Sequence, residues 1–568
     1  MDLSDFVRAA RGDSVVDLLL RHAQVVDVHA AAVQATSVAI HAGVIVGFGE
    51  DYQAVRTVDL EGAYLCPGFI DGHVHLESSM VMPPEYARAV VPRGTTAVAT
   101  DFHEIANVLG LPGIRALMQA GEGLPLDIWV MAPSCVPATD LETAGARLEA
   151  PDLLELRRES RVIGLGEMMN FPGVVHGDSG VLAKLEAFLG APIDGHAPGL
   201  TGRELAAYAG TGIGSDHECT SAAEAREKLA LGMRVAIRQG STARNLEALL
   251  PAVTVANSRR CYFCTDDRHP EDLLAEGHMD EILREAVAGG LDPLIALQMT
   301  TCNAREFLGL QGTGVVAPGY LADLVVLADL ERFSVRQVYK NGVLVAEDGR
   351  LLSQAALELP GARNTIKISW EKAGDIRVPA RSSRLRVIGL IPDQIVTESL
   401  VEEARVEEGM AVSDPERDIL KLCVFERHTG RGNVGIGFIC GLGLRSGAMA
   451  STVAHDSHNL VVAGVSDAAI LAAARAVEAM GGGQVVVDGG EVRAALPLAM
   501  GGLMSMEPLE VVTAEVRSLR GAARGLGCSL RDPFMALAFM ALPVIPALKL
   551  TDRGLFDVGE FRHVGLFV

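Results

Sequence analysis

The strongest constraint on the fold is an alternation of short apolar runs and helical stretches between about residues 61 and 311. For example, TTAVAT (95–100) precedes GIRALMQAG (113–121), and RVAIRQGS (234–241) precedes ARNLEALLP (243–251). Such alternation is typical of parallel βα units, and about 250 residues is the length of a (β/α)8 barrel. Periodicity alone leaves an open, doubly wound sheet as the alternative.

Segments rich in β-forming residues precede and follow this region. SVAIHAGVIVGFGE (37–50) contains two such runs around a hairpin signal, and Asn341-Gly342 predicts a type I′ hairpin turn. The C-terminal part of the chain is rich in glycine and other small residues, and SDAAILAAARAVEAMGGG (466–483) predicts a capped helix there. A third, α+β domain that begins between residues 350 and 385 is the simplest interpretation.

Composition and charge exclude several classes of protein. The 568 residues are 49% hydrophobic, which is enough for a large core, and the net charge of −23 makes nucleic acids and anionic membranes poor partners. Nine scattered cysteines indicate free thiols in a reducing compartment. FMALAFMALPVIPAL (534–548) is too short to span a bilayer and contains two prolines, and no apolar signal segment opens the chain. We therefore expect a cytoplasmic protein, and a chain of this size is expected to form a homodimer.

The stretch CPGFIDGHVHLESSM (66–80) places three potential ligands at alternating positions. Because side chains alternate along a strand, His73, His75 and Glu77 share one face if the strand continues that far. Two imidazoles on one face suit a divalent metal ion. His-x-His alone is a weak motif, so the metal hypothesis depends on the rest of the region.

Four later apolar runs also end in a residue that can bind a metal. VIGLGE, APIDGH, GIGSDH and CYFCTD end in Glu167, His196, His217 and Asp266. In a barrel, these residues would lie at the carboxyl ends of different strands, where barrel active sites form. Six ligands suit two metals about 3.5–4 Å apart, bridged by a carboxylate and a hydroxide, and Glu167 is the candidate bridge. Imidazole plus carboxylate allows manganese, iron or zinc.

Other interpretations stay open at this point. Glu167 is alternatively a solvated loop carboxylate, and Asp266 is alternatively the N-cap of the next helix. The HDSHN block (455–459) is a further metal site, a substrate lid or a packed turn. Four histidines match no strand end and are interpreted as loop or surface residues: His103, His176, His269 and His278.

Seven segments together carry a resemblance that extends over nearly the whole chain: PGFIDGHVHLESSM, DFHEIANVLG, DGHAPGLTGRELAAY, SDHE, RQGSTARNL, CTDDRHPEDLLAEGHMD and VAHDSHNLVVAGVSD. They closely resemble bacterial adenine deaminases of the amidohydrolase superfamily. The resemblance implies a (β/α)8 metal-dependent hydrolase barrel at residues 61–311 and a small β-sandwich formed by residues 1–60 and 312–365. It also implies an additional C-terminal α+β domain at residues 366–568.

The resemblance further implies a reaction, a cofactor and a ligand set. The family reaction converts adenine and water to hypoxanthine and ammonia. The implied cofactor is a pair of divalent metal ions, with manganese or iron favoured and zinc possible. The implied metal ligands are His73, His75, Glu167, His196, His217 and Asp266. Many relatives outside this branch have a carboxylated lysine at the position of Glu167, so here a glutamate would supply the bridging anion.

Roles for individual side chains follow from the reaction. Asp266 is the first candidate for moving protons, and Glu218 is the second, with orientation of His217 as its alternative role. Glu77 either accepts an N–H from a neutral base or bonds to the nearby loop, whereas dihydroorotase-like relatives carry an arginine at this spacing. The weaker candidates for substrate binding are Glu77, His103, His455 and His458. The alternative functions are a cyclic amidohydrolase, such as a dihydroorotase or hydantoinase, and a non-catalytic scaffold.

Overall fold

The computed structural model describes residues 2–352, 364–392 and 394–568. Residues 353–363, which belong to the expected sandwich segment 312–365, lie outside the described residues. All nine cysteines lie in the described ranges and none forms a disulfide, as their scattered positions predict. Within the described part of the chain, no helix is both long enough and apolar enough to cross a bilayer.

Nine parallel strands run through residues 61–311, a range that the structure describes completely. Their bounds are Phe69–His75, Thr95–Asp101, Asp127–Ala132, Val162–Met168, Ile193–Gly195, Ser215–Asp216, Arg234–Arg238, Cys261–Cys264 and Asp266–Asp267. The first five and the last form one six-stranded sheet, in which the first five lie in chain order and Asp266–Asp267 pairs with Phe69–His75. The other three form a second sheet. This sequential order lacks the reversal of a doubly wound sheet, so that alternative is wrong.

The two parallel sheets adjoin each other at both edges. Only Thr265 separates the strand Cys261–Cys264 of the smaller sheet from Asp266–Asp267 of the larger one. At the other edge, Gly214 N–H donates to the carbonyl oxygen of Ile193 at 2.9 Å. Because every strand runs in the same direction, the carboxyl ends of all of them lie at one edge, where side chains from distant positions can meet.

Helices follow most of these strands and cover their outer side. Their bounds are Pro83–Val90, His103–Leu109, Leu111–Ala120, Ala150–Leu156, Phe171–Val175, Ser179–Ala187, Gly202–Gly210, Ala222–Ala230, Leu246–Leu249, Pro270–Ala275, Met279–Ala288, Pro293–Met299 and Cys302–Leu308. Side-chain caps fix where several of them begin; for example, Ser221 Oγ accepts the N–H of Glu224. The strands Phe69–His75 and Thr95–Asp101 are buried along their whole length, as expected for parallel strands covered by helices.

The two flanks of this region form one sheet. In the described residues its strands are Val16–Asp27, Ala32–His41, Val44–Phe48, Ala54–Asp59, Tyr64–Pro67, Leu324–Leu327, Val335–Lys340, Val343–Glu347 and Arg350–Leu351. Both predicted hairpins are confirmed, because His41 pairs with Val44 and Lys340 pairs with Val343. The flanks are joined by antiparallel pairing of Tyr64–Pro67 with Leu324–Leu327. A short helix, Leu3–Ala10, precedes the sheet.

The C-terminal region contains a mixed sheet and its own helices. The strands of the sheet are Arg384–Leu390, Thr397–Glu403, Leu420–Phe425, Val434–Cys440, Ala448–Ser451, Leu460–Gly464, Gly483–Asp488 and Glu491–Pro497. The helices are Trp370–Ala373, Asp467–Ala479, Leu509–Gly525 and Pro533–Ala538. Two small sheets comprise Val378–Pro379, Val406–Glu407 and Met410–Ala411, and Leu548–Thr551, Gly554–Asp557 and Arg562–His563. The predicted capped helix is confirmed, since the hydroxyl of Ser466 accepts the N–H of Ala469.

The C-terminal region packs against the edge at which the parallel strands end. Ser505 N–H donates to the carbonyl oxygen of Met80 at 2.7 Å, and Asn459 Nδ2 donates to the carbonyl oxygen of Thr143 at 2.9 Å. Met80 and Thr143 both lie in segments that follow the carboxyl end of a parallel strand. Side chains of the C-terminal region therefore cover the edge where an active site is expected.

Candidate metal centre

The two histidines of the His-x-His motif lie together with a carboxylate from the neighbouring strand. His73 and His75 are buried at the end of the strand Phe69–His75, and their Nε2 atoms are 3.1 Å apart. Oδ1 of Asp266 lies 3.1 Å from Nε2 of His75 and 3.6 Å from Nε2 of His73. Parallel pairing of Asp266–Asp267 with Phe69–His75 produces this proximity.

Glu167 lies between His75 and two further imidazoles. Its Oε1 is 3.1 Å from His75 Nε2, and its Oε2 is 2.5 Å from His196 Nδ1 and 3.2 Å from His217 Nε2. Burial alone would raise the pKa of Glu167, but the neighbouring imidazoles outweigh it and hold that pKa well below its usual range. Glu167 is only 3% exposed, so the alternative of a solvated loop carboxylate is wrong. A bridging carboxylate must present its two oxygens to different sets of ligands, and Glu167 presents Oε1 to His75 and Oε2 to His196 and His217.

The outer nitrogens of two imidazoles are held by other groups. His73 Nδ1 lies 2.7 Å from Oδ2 of Asp194, and His75 Nδ1 donates to the carbonyl oxygen of Asp101 at 3.1 Å. Such contacts direct the Nε2 atoms inward and fix the tautomer that can bind a cation. The ring of His217 stacks on that of His73, with centroids 4.0 Å apart. The buried imidazoles and carboxylates therefore fit divalent metal ions in donor type, orientation and number.

Arg238 anchors the second oxygen of Asp266. Its Nη1 donates to Asp266 Oδ2 at 2.7 Å, and the same guanidinium pairs with both oxygens of Glu218. Burial would raise the pKa of Asp266, but Arg238 and the two histidines of the motif hold it well below its usual range. Asp266 has a φ of +59°, in the left-handed region that non-glycine residues rarely adopt. Since His269 is the N-cap of the next helix, the N-cap alternative for Asp266 is wrong.

Glu77 and His103 lie beside this cluster. The strand ends at His75 and Glu77 belongs to the 3-10 helix Leu76–Ser79, so the condition under which Glu77 would share a strand face with the two histidines is not met. Glu77 Oε1 accepts the N–H of Ile105 at 3.2 Å, while burial raises the pKa of its carboxyl to about 7. Nδ1 of His103 lies 3.5 Å from Oε1 of Glu167, and its ring centroid is 4.6 Å from that of His75.

Three histidines interpreted as loop or surface residues are buried instead. His103 adjoins the cluster, His269 begins a helix, and His278 lies under the parallel sheet with Nε2 2.9 Å from the hydroxyl of Tyr86. The loop position is confirmed for His269 and His278, which precede their helices, and it is wrong for His103, which belongs to the helix His103–Leu109. A surface position is wrong for all three, because tertiary packing that periodicity does not reveal buries them. His176 is exposed at the end of a short helix, as predicted.

His455 and His458 reach this edge from the C-terminal region, but they approach a different carboxylate. Nδ1 of His455 is 3.8 Å from Oε1 of Glu104, and Nε2 of His458 is 3.9 Å from Oε2 of the same residue. All three are buried. The two histidines therefore lie at the border of the cluster, beside the helix His103–Leu109.

Several buried polar residues of the site escaped sequence reasoning. Asp101 and Arg238 are the last residues of their strands, and Asp194 precedes His196 by two positions. The criterion that selected the metal ligands, an apolar run that ends in a residue able to bind a metal, would have selected Asp101 if applied to every strand, whereas Arg238 required a search for any polar residue at a strand end. Glu104 has no such signal, because it lies in a helix. Asp456 lies in the HDSHN block that the sequence singled out, but no role was assigned to it there.

Comparison with known proteins agrees with this geometry. The amidohydrolase family model matches residues 64–345, and the model of the adenine deaminase C-terminal domain matches residues 394–562. An adenine deaminase of Desulfatibacillum aliphaticivorans is 50% identical over 564 residues, which cover 99% of both chains. Adenine deaminase 2 of Carboxydothermus hydrogenoformans is 51% identical, again over 99% of both chains. This chain belongs to the adenine deaminase family.

Membership in the adenine deaminase family has two consequences. The resemblance inferred from the motifs is confirmed over nearly the whole length, and the dihydroorotase- or hydantoinase-like alternative is not favoured. Amidohydrolases are metal-dependent enzymes, in agreement with the groups of three ligand atoms that lie within 4.8 Å of one another at this edge.

Proposed function

We propose that this protein hydrolyses adenine to hypoxanthine and ammonia, as an adenine aminohydrolase of purine salvage. The observation that carries the proposal is a buried cluster of imidazoles and carboxylates at one sheet edge, in a chain that is about half identical to adenine deaminases along its length. A chain that had lost activity would be expected to have lost some of these side chains, and all six are present.

We infer that the two parallel sheets form a closed (β/α)8 barrel over residues 61–311. The adjoining edges support closure, with Cys261–Cys264 and Asp266–Asp267 together forming the eighth strand. We likewise propose a discontinuous β-sandwich domain at residues 1–60 and 312–365 and a C-terminal α+β domain at residues 366–568. A homodimer and a cytoplasmic location stay predictions.

We propose that two divalent ions, preferably manganese or iron, are bound by the clustered side chains. The ligands would be His73, His75, Glu167, His196, His217 and Asp266, with Glu167 between the two ions. When bound, the ions would supply Lewis acidity that makes a hydroxide nucleophile available near neutral pH. Asp194 and the carbonyl oxygen of Asp101 would hold two of the imidazoles in the orientation needed for binding.

The side chains of the site also manage the protons of the reaction. Hydrolysis adds the oxygen of water to C6 of adenine; one hydrogen of that water ends on the leaving nitrogen, which departs as ammonia, and the other ends on the purine ring. We propose that Asp266 Oδ1 accepts a proton of the attacking water and passes it to the substrate. Oδ1 can do so because Arg238 holds Oδ2 and keeps the carboxylate ionised. We propose that Glu218, paired with Arg238 through both oxygens, positions this guanidinium.

Incubation of the purified protein with adenine and Mn²⁺ or Fe²⁺ tests the proposed function. The expected products are hypoxanthine and ammonia in equal amounts, with dihydroorotate and hydantoin unchanged. Asp266→Asn should lose about 10²–10⁴-fold in kcat, the usual contribution of a group that transfers a proton. Absence of hypoxanthine with either metal would refute the proposal, and unchanged activity of Asp266→Asn would refute the role of that residue.

A further inference from the structure

A loop of the C-terminal region, residues 453–459, covers one side of the metal centre. The ring of His455 stacks on Phe539 at a centroid distance of 5.2 Å, and the carbonyl oxygen of Ser457 accepts from His428 Nε2 at 2.7 Å. Asn459 Nδ2 donates to the carbonyl oxygen of Thr143 at 2.9 Å. These contacts hold the loop on both sides of Asp456, so the position of this residue is determined by packing.

The histidines of this loop do not form a third metal site with Glu104. Nδ1 of His458 accepts the N–H of Ala454 at 3.1 Å. A neutral imidazole that accepts at Nδ1 carries its proton on Nε2, and Nε2 is the atom that faces Glu104. A nitrogen that carries a proton cannot bind a cation, so His458 is a hydrogen-bond donor. The Nε2–H group of His458 is therefore available to donate a hydrogen bond to a carboxylate or to a bound ligand.

Asp456 is the carboxylate of this loop, and only its Oδ1 has a contact within the loop, 3.9 Å from Nδ1 of His455. It is 4% exposed, and among the described residues its Oδ2 has no hydrogen-bond donor. Burial raises the pKa of its carboxyl, and the charges of His455 and of three residues of the metal centre, Glu167, His196 and His75, also act on it. A buried carboxylate oxygen without a donor is costly and rare in native proteins. An N–H group of a bound ligand would supply the hydrogen bond that Oδ2 of Asp456 lacks.

Adenine carries an N–H group that can fill this position. C6 must face the metal centre for hydrolysis, so the imidazole ring of the base, with its single N–H, points away from the centre. We propose that Asp456 is a specificity-determining residue that accepts this imidazole N–H and thereby selects the free base over N9-substituted purines. The proposal rests on the proposed function, because it assumes that adenine is bound with C6 toward the metals.

The test compares bases with and without the imidazole N–H. Values of kcat/KM are measured for adenine and 9-methyladenine, and Kd values are measured by calorimetry for hypoxanthine and 9-methylhypoxanthine. The variants are Asp456→Ala and the isosteric Asp456→Asn, with melting temperature and metal content determined for each. Glu142→Gln is the matched control, since Glu142 is also 4% exposed and also has an oxygen without a donor.

In the wild-type protein we expect a strong preference for the unsubstituted bases. Asp456→Ala should weaken hypoxanthine binding and lower kcat/KM for adenine by about 10- to 100-fold, the effect of losing one hydrogen bond to a charged group. The values for the 9-methyl compounds should stay unchanged, and Glu142→Gln should match the wild type throughout. Asp456→Asn keeps one acceptor oxygen and should show a smaller loss.

Three outcomes would overturn the proposal. These are an unchanged preference in Asp456→Ala, an equal loss for methylated and unmethylated bases, and failure of the wild type to bind any of the four compounds. Binding of hypoxanthine without hydrolysis of adenine would instead refute the proposed function and leave the role of Asp456 to the calorimetric comparison. Adenine turnover with an unaltered preference in the variant would refute the role of Asp456 alone.

Discussion

Asp194 contacts the outer nitrogens of two imidazoles of the metal centre. Its Oδ2 lies 2.7 Å from Nδ1 of His73 and 3.6 Å from Nδ1 of His217. The residue is only 2% exposed. Because it orients both rings, Asp194→Asn should reduce metal affinity by about 10- to 100-fold. Metal retained after dialysis against a graded chelator measures this. Asp178→Asn, at the N-cap of an outer helix, should keep wild-type affinity; equal metal retention in both variants would contradict the assignment.

Arg238 determines how far Asp266 stays ionised as the pH falls. Its guanidinium holds the pKa of the Asp266 carboxyl well below the usual range, so removing it raises that pKa. A carboxyl with a raised pKa loses its ability to accept a proton at a higher pH, and the acid limb of the kcat/KM profile of Arg238→Gln should therefore move to higher pH. The value of kcat/KM on the alkaline plateau should change less than its value at acidic pH.

The control for this prediction is Arg244→Gln. Arg244 pairs with Glu276 at 2.7 Å, away from the cluster, and its removal should leave the pH profile in place. Arg238→Gln leaves two buried carboxylates unpaired, so its folding is verified by thermal melting before kinetics. An acid limb at the wild-type pH in a folded Arg238→Gln protein would show that the guanidinium does not govern this ionisation.

At the scale of strands and helices, much of the site was predictable because parallel strands share one carboxyl edge. Glu167, His196, His217 and Asp266 each end an apolar run, and the structure places all four in the same cluster, in which His196 alone of the four is partly exposed. Periodicity could not predict where Phe69–His75 ends, because the turn into the following 3-10 helix depends on its packing. It therefore misplaced Glu77 on the face of the strand.

Contacts between elements distant in sequence were beyond the reach of such patterns. Asp456 lies almost 200 residues after Asp266, in a loop whose position depends on the packing of a second region. Arg238 was visible as a strand-end residue, but its partners Glu218 and Asp266 follow different strands. Local periodicity identifies which face of an element is buried and leaves the partner of that face undetermined.

One loop near the site is anchored by side chains of the C-terminal region, and Asp552 binds it through both carboxylate oxygens. Asp552 Oδ1 accepts the N–H of Thr143 at 2.9 Å, and its Oδ2 accepts the hydroxyl of the same residue at 2.7 Å. Asp552→Ala leaves a buried N–H without an acceptor, which costs about 1–3 kcal/mol. We expect faster hydrogen exchange in residues 139–147 and a lower melting temperature. Asp552→Asn keeps an acceptor and should exchange more slowly than Asp552→Ala; equal protection in wild type and Asp552→Ala would refute the anchor.

For the whole molecule, metal binding and folding are coupled through the same cluster. Its ligands come from five separate segments between His73 and Asp266, and these segments are assembled only in the folded chain, so bound ions stabilise the folded state in proportion to their affinity. Removing them with a chelator should lower the melting temperature.

Protons compete with cations for the imidazoles as the pH falls, so the difference in melting temperature between metal-loaded and chelated protein should shrink from pH 8 toward about pH 5. Parallel melting curves of the two forms at several pH values measure this, and a difference that stays constant with pH would mean that the imidazoles are not the ligands.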